Sequence, residues 1–280
     1  MKKILVPTDF SPNADKALNF AVQIAKQSGG EIYLIHACEL IETIFKDNHA
    51  MYKEHNMSLS DKANEGLSLL KKSIEDTEKI SVKIKTYNGR VTDTILQASE
   101  DLKVDLLIMG TLGESGLKEK ILGSITAGII AKTNVPLMAV PLMSEWDIPG
   151  KLLLSLNDFN SRPEVFKSVF ELAGIFGATI FIGIFTDSDS ADAIEYLKDE
   201  RGIGAYEEKL KTLYKNSNIK HVHIDGHRFL ETIEEYIQEQ SINIVAMITH
   251  KRTFVESIFN RSMTRKMSYH TRIPLLVIPV

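Results

Sequence analysis

Cysteine is almost missing from this chain: among 280 residues only Cys38 carries a thiol. One thiol builds neither an intrachain disulfide framework nor a cysteine-rich zinc site, and it suits a reducing compartment, so cytoplasm is the expected setting. An excess of either charge is also missing. The 33 Lys and Arg against 37 Asp and Glu leave a formal net charge of -4, which offers no global basic field to nucleic acid or to an anionic membrane. No apolar run approaches the roughly 20 residues that span a bilayer. The opening Met1-Lys2-Lys3-Ile4-Leu5-Val6 is broken by Pro7 and Asp9 too early for a signal-peptide core. What is present is ordinary globular composition, 44% hydrophobic and 25% charged, in a length that suggests two domains.

The chain repeats itself. Lys3-Ile4-Leu5-Val6-Pro7-Thr8-Asp9-Phe10 is echoed by Leu152-Leu153-Leu154-Ser155-Leu156-Asn157-Asp158-Phe159, and Val135-Pro136-Leu137-Met138-Ala139-Val140-Pro141 by Ile273-Pro274-Leu275-Leu276-Val277-Ile278-Pro279. Start and finish of one unit recur together, which places domains at 1–143 and 150–280 around a connector containing Trp146, Pro149 and Gly150. In each copy short β-rich runs alternate with segments of helical period, so the fold class is α/β: two tandem doubly wound five-stranded parallel-sheet domains. Strands are expected at Lys3–Val6, Ile32–His36, Ser81–Lys85, Asp105–Met109 and Leu137–Val140, then at Lys151–Ser155, Ile180–Ile184, Lys220–Ile224, Asn243–Ile248 and Leu275–Ile278. The first helix starts behind Ser11 with Pro12 just inside and stops at Gly29-Gly30. Further helices are expected around Ser60–Glu75, after an excursion from Cys38, and near Val91–Leu102 and Ser124–Lys132.

Chemistry concentrates after the fourth strand, in Met109-Gly110-Thr111-Leu112-Gly113 and onward to Gly123-Ser124-Ile125-Thr126. Glycine at a strand end lets a ligand approach main chain, and Gly123-Ser124 opens a helix whose free N–H groups suit phosphate. The hydroxyls of Ser124 and Thr126 are candidate extra donors. Neither the Gly-Lys-Ser/Thr of a P-loop nor Gly-x-Gly-x-x-Gly occurs here, so a different nucleotide mode is implied, the alternative being that these glycines only shape a loop. No nucleophile elbow, His-Glu-x-x-His pair or kinase-like set appears, and no carboxylate is placed to activate water beside the glycines. Dedicated catalysis is not expected. His36, inside an apolar strand, reads as a hydrogen-bonded structural residue, and Cys38 as an inert thiol.

On these residues the chain resembles the universal stress protein family, as a tandem member matched over nearly the whole of both halves. Gly110, Gly113, Gly123 and Ser124 meet the family spacing of Gly, two residues, Gly, nine residues, Gly-Ser, and Pro7-Thr8-Asp9 closes its opening strand. The resemblance implies an adenine nucleotide alpha hydrolase-like fold with ATP across the strand ends. It places Asp9 by the nucleoside or its metal through Mg-ATP, with Pro7 and Thr8 shaping the pocket. Ala37 would meet adenine through its main chain, Met109 and Gly110 the ribose and first phosphate, and Gly113, Gly123, Ser124 and Ile125 the phosphates. Asp9 also reads as a turn or cap carboxylate. The second copy carries Phe185, Ile248, Lys251 and Arg261 where Ala37, Gly110, Gly113 and Gly123 stand, retaining only Asp158 and Ser262. One ATP site per chain is therefore expected. The basic stretch from His250 to Arg272 reads either as an anion site or as a solvated face.

The function expected from the resemblance is an ATP-binding stress-response or regulatory protein, in which occupancy of the N-terminal domain alters conformation or the surface shown to a protein partner. The alternatives are a nucleotide-using enzyme, such as a phosphotransferase or slow ATPase, and an interaction scaffold that has lost ATP. The resemblance also implies an intrachain pseudo-dimer through the fifth strands, with pairing of whole chains into a homodimer left open.

Overall fold

The computed structural model describes residues 1–39, 49–112, 123–156, 159, 161–187, 189, 193–216, 218–249 and 273–280. Apolar runs form β1 (Lys3–Pro7), β2 (Glu31–Cys38), β3 (Val82–Asn88), β4 (Leu106–Gly110) and β5 (Leu137–Val140) in the first half. The second half supplies β6 (Lys151–Leu156), β7 (Thr179–Asp187), β8 (Ile219–Gly226), β9 (Ile244–Thr249) and β10 (Leu275–Pro279). Helices α1 (Pro12–Ser28), α2 (His49–Glu78), α3 (Val91–Asp101) and α4 (Ser124–Ile130) link the first set, and α5 (Lys167–Phe176), α6 (Ala193–Tyr214) and α7 (Phe229–Gln240) belong to the second.

All ten strands join one sheet in the order β3-β2-β1-β4-β5-β10-β9-β6-β7-β8. Each half is parallel within itself, and the halves meet through their fifth strands: Leu275, Leu276 and Val277 run antiparallel to Ala139, Met138 and Leu137. This is the expected intrachain pairing, and it covers two edges that would otherwise be open. Alternation along the strands builds two apolar layers. Ile4, Val6, Ile32 and Leu34 face one side with Leu18, Phe20 and Ala21 of α1. Leu5, Ile35 and Leu107 face the other with Ile95 of α3 and Ile129 and Ile130 of α4. The first layer does not stop at the boundary, because Met138, Leu276, Leu152 and Phe166 belong to the same packed cluster. The connector is tied into it as well: the Trp146 ring stands edge-on to Phe20 of α1 at 5.0 Å and lies 5.7 Å from Phe176 of α5.

The start of α1 follows its local chemistry. Ser11 Oγ accepts the Ala14 N–H, Pro12 occupies the first turn, and Gly29 takes the left-handed φ of 60° that ends the helix. Two expectations need correction. The second helix begins at His49 rather than near Ser60, so much of the expected excursion is helical. The helix after Gly123 ends at Ile130, two residues short of Lys132. One contact recurs in both halves. The Phe10 ring sits so close to Gly66 of α2 that a Cβ there would lie 2.8 Å from it, and a Cβ on Gly202 of α6 would lie 2.6 Å from the Phe159 ring. Among the described residues no helix is long and apolar enough to cross a membrane.

Candidate functional site

The cavity opens where the strand order reverses, between β1 and β4, at the carboxyl ends of the strands; open α/β sheets leave a crevice at this point. Beyond β1 the chain is held in a tight turn. Thr8 N–H donates to Ile35 O at 2.9 Å, Phe10 N–H to Thr8 Oγ1 at 3.0 Å, and Ser11 N–H to Asp9 Oδ1 at 3.1 Å. Phe10 itself is in the left-handed region, with φ 60°, a conformation that a bulky residue keeps only under local constraint. The turn reading of Asp9 is thus realised through Oδ1, and the same residue lines the cavity.

The second wall is built by a residue that the sequence reading passed over. Asn13, in the first turn of α1, is buried. Its Nδ2 donates to Val140 O at 3.0 Å, and its Oδ1 accepts the Leu112 N–H at 2.7 Å. A Cβ on Gly110 would meet Asn13 Cγ and Oδ1 at 2.7 Å and the Asn13 carbonyl at 2.9 Å. Gly110 is therefore required by helix packing, whatever the cavity holds. Two further corrections concern donors. Gly123 N–H already donates to Thr111 O at 2.6 Å, so it is not available to phosphate. Thr126 Oγ1 donates to Gly110 O at 2.9 Å and is buried; it braces the end of β4 and adds no free donor. The Ser124 and Ile125 side chains are exposed.

The resulting cavity has a volume of about 160 Å³. Pro7, Thr8, Asp9 and His36 form its β1–β2 flank; Ala37, Val91 and Ile95 give it an apolar end; Met109, Gly110 and Leu112 with Gly123, Ser124 and Ile125 close the opposite side. Nine of the sequence-named positions thus converge on one space, and Gly113 lies outside the described residues. Ala14, His36, Val91, Ile95 and Leu112 were missed. Only His36 carried a signal, a lone polar side chain within an apolar strand. Near this flank the Asp15 carboxyl is pushed up, first by burial and then by the negative charge of Asp9. A cation beside Asp9 would relieve that repulsion.

These residues fit an adenine nucleotide: an apolar slot for a flat base, a polar flank, and Ser124 at the far side. They fit magnesium only as a partner of bound phosphates, since no cluster of three or more His, Cys, Asp or Glu suited to a metal occurs among the described residues, and magnesium commonly takes one or two carboxylates plus phosphate oxygens. Cys38, next to Ala37, is buried, and burial pushes its thiol up, as an inert thiol requires.

In the second half two aromatic rings meet at the counterpart of that apolar end. Phe185 stands in β7 where β2 has Ala37, and its ring packs edge-on at 5.0 Å against Phe229, the first residue of α7 as Val91 is of α3. Ile248 occupies the β9 position that corresponds to Gly110. Asp158, Lys251, Arg261 and Ser262, with the basic stretch from His250 to Arg272, lie outside the described residues.

Fold and cavity together define a tandem α/β protein with a switch-point cavity in its first half. The universal stress protein family model matches residues 1–141 and again 151–279. The chain belongs to the universal stress protein family, with two copies of its domain. Universal stress protein MJ0577 of Methanocaldococcus jannaschii is 31% identical over 153 residues, covering 50% of this chain and 94% of that protein. YxiE of Bacillus subtilis is 31% identical over 144 residues, covering 49% of this chain and 97% of its own length. The crystal structure of a universal stress protein from Archaeoglobus fulgidus superimposes over 99% of this chain and 98% of its own, with a TM-score of 0.76 at 20% identity. That likeness extends the tandem fold, though not the site, to a second protein.

Proposed function

We propose that residues 1–143 form an ATP-binding domain and that residues 150–280 form a degenerate copy without a nucleotide. Occupancy of the first half would alter conformation or the surface offered to a protein partner, in keeping with a stress-response family. The observation that carries this reading is the convergence of Pro7, Thr8, Asp9, Ala37, Met109, Gly110, Gly123, Ser124 and Ile125, drawn from separate elements, on one cavity. Met109 and Gly110 would face the ribose, Ser124 and Ile125 the phosphates, and Asp9 the nucleoside or a magnesium ion held by those phosphates. The Phe185–Phe229 contact supports a single site, because two rings occupy what Ala37 and Val91 leave open. A homodimer would have to use other surfaces, since β5 and β10 already pair within the chain. Cytoplasm suits a protein whose one thiol is buried.

Thermal unfolding and a turnover assay with ATP and magnesium test this together. A ligand at 100 times its Kd stabilises the folded state by about 2.7 kcal/mol, so a rise in Tm of several degrees is expected, with no sustained multiple turnover. An unchanged Tm at saturating ATP would leave only a scaffold. Continuous hydrolysis or phosphoryl transfer at enzyme-like rates, on the order of 1 s⁻¹ or faster, would make the protein an enzyme.

A further inference from the structure

We infer that His36 is a ligand-contacting residue whose Nε2 accepts a hydrogen bond from a ribose hydroxyl, so that the cavity selects ribonucleotides over deoxyribonucleotides; this rests on the nucleotide reading above. The tautomer follows from one contact. His36 Nδ1 lies 2.8 Å from Thr8 O, and a carbonyl only accepts, so Nδ1 carries the hydrogen and Nε2 of the neutral ring is a lone-pair acceptor. No described residue hydrogen-bonds Nε2. The ring is half-buried and lines the cavity.

It is also held still. His36 stacks on Phe10 at 5.0 Å with an interplanar angle of 29°, and Phe10 is pinned in turn over Gly66, where a Cβ would come within 2.8 Å of its ring. An acceptor fixed in this way loses little freedom on binding. The chemistry of the flank then names the ligand group. On this flank Thr8 Oγ1 accepts the Phe10 N–H, and His36 Nε2 stands as an acceptor beside the cavity. A base fits the apolar end at Ala37, Val91 and Ile95, and phosphates suit Ser124 across the cavity. The part of a nucleotide that joins those two and carries donors is the ribose. The Phe–Gly contact is repeated in the second half as Phe159 over Gly202, so that contact by itself serves the fold. His36 is the feature particular to the first half, since Ile184 occupies its place in β7.

Calorimetric titration of ATP, 2′-deoxy-ATP and 3′-deoxy-ATP into wild type, His36→Phe and His36→Gln tests the assignment. The wild type should bind ATP about tenfold more tightly than the weaker of the two deoxy analogues, the worth of one buried hydrogen bond. His36→Phe keeps a ring against Phe10 but no acceptor; it should lose about tenfold toward ATP and lose the discrimination. His36→Gln, which can donate to Thr8 O and still accept, should recover part of both. A purely structural role would lower Tm and leave the analogue ratio unchanged. Equal binding of all three nucleotides by the wild type, or full discrimination by His36→Phe, would overturn the assignment while leaving ATP binding intact. Failure of the wild type to bind ATP would overturn the nucleotide reading and this inference with it.

Discussion

Replacing Gly110 with valine is expected to abolish nucleotide binding and to lower stability by about 1–3 kcal/mol, the usual cost of overpacking a tight core. The new side chain would be driven into Asn13, whose Cγ and Oδ1 stand 2.7 Å from the Cβ position. Asn13 cannot yield cheaply, because it holds the Leu112 N–H on one side and Val140 O on the other. Displacing it frees the chain that leads from β4 into the glycine segment, so the cavity wall at Leu112 loses its anchor. Shortening Asn13 as well should not rescue the variant, since the Asn13 carbonyl remains at 2.9 Å. Urea unfolding and ATP titration check both effects. A Gly110→Val protein that binds ATP like the wild type would show that Asn13 does not set the site.

The larger effect on stability is expected from Leu276→Asp. Leu276 lies in β10 opposite Met138 of β5, both are fully buried, and both belong to the apolar layer that also contains Ile4 and Leu152. A carboxylate there has no partner in that layer, and an uncompensated buried charge destabilises by about 3–5 kcal/mol. That is a large share of the roughly 5–15 kcal/mol that holds a typical protein folded. Because the layer is continuous, the two halves should lose structure in one transition at lower denaturant, and ATP should raise the midpoint of that single transition. Two separate transitions, with the first half still binding nucleotide, would show that the halves fold independently and that β5–β10 pairing is a weak contact.

Much of the fold could be read in advance because its signals are local and repeated. Each β-branched run became a strand within a few residues of its expected ends, and Ser11, Pro12 and Gly29 each did what their backbone preferences favour. The start of α2 was hidden for the opposite reason. Residues from His49 to Ser60 mix polar and apolar side chains without a clean stripe, whereas Ala63, Leu67 and Ile74 further along are buried on one face. The site was legible as a set of positions, less so as a set of causes. The spacing of Gly110, Gly123 and Ser124 pointed to a nucleotide, while the structure assigns Gly110 to the approach of Asn13 and the Gly123 N–H to Thr111. Nothing in the sequence around Asn13 marks it, because the contact that matters spans 99 residues to Leu112. In the second half Phe185 was visible as an obstruction. Its partner Phe229 was not, since only folding brings the ends of β7 and α7 together.

One ATP is expected to be held by the first half of this tandem protein. The most direct test is to denature freshly purified protein and quantify released adenine nucleotide per chain, then to repeat the measurement after stripping and reloading with ATP and magnesium. Near one nucleotide per chain is expected. Near two would contradict a single site per chain, and none after reloading would contradict nucleotide binding altogether.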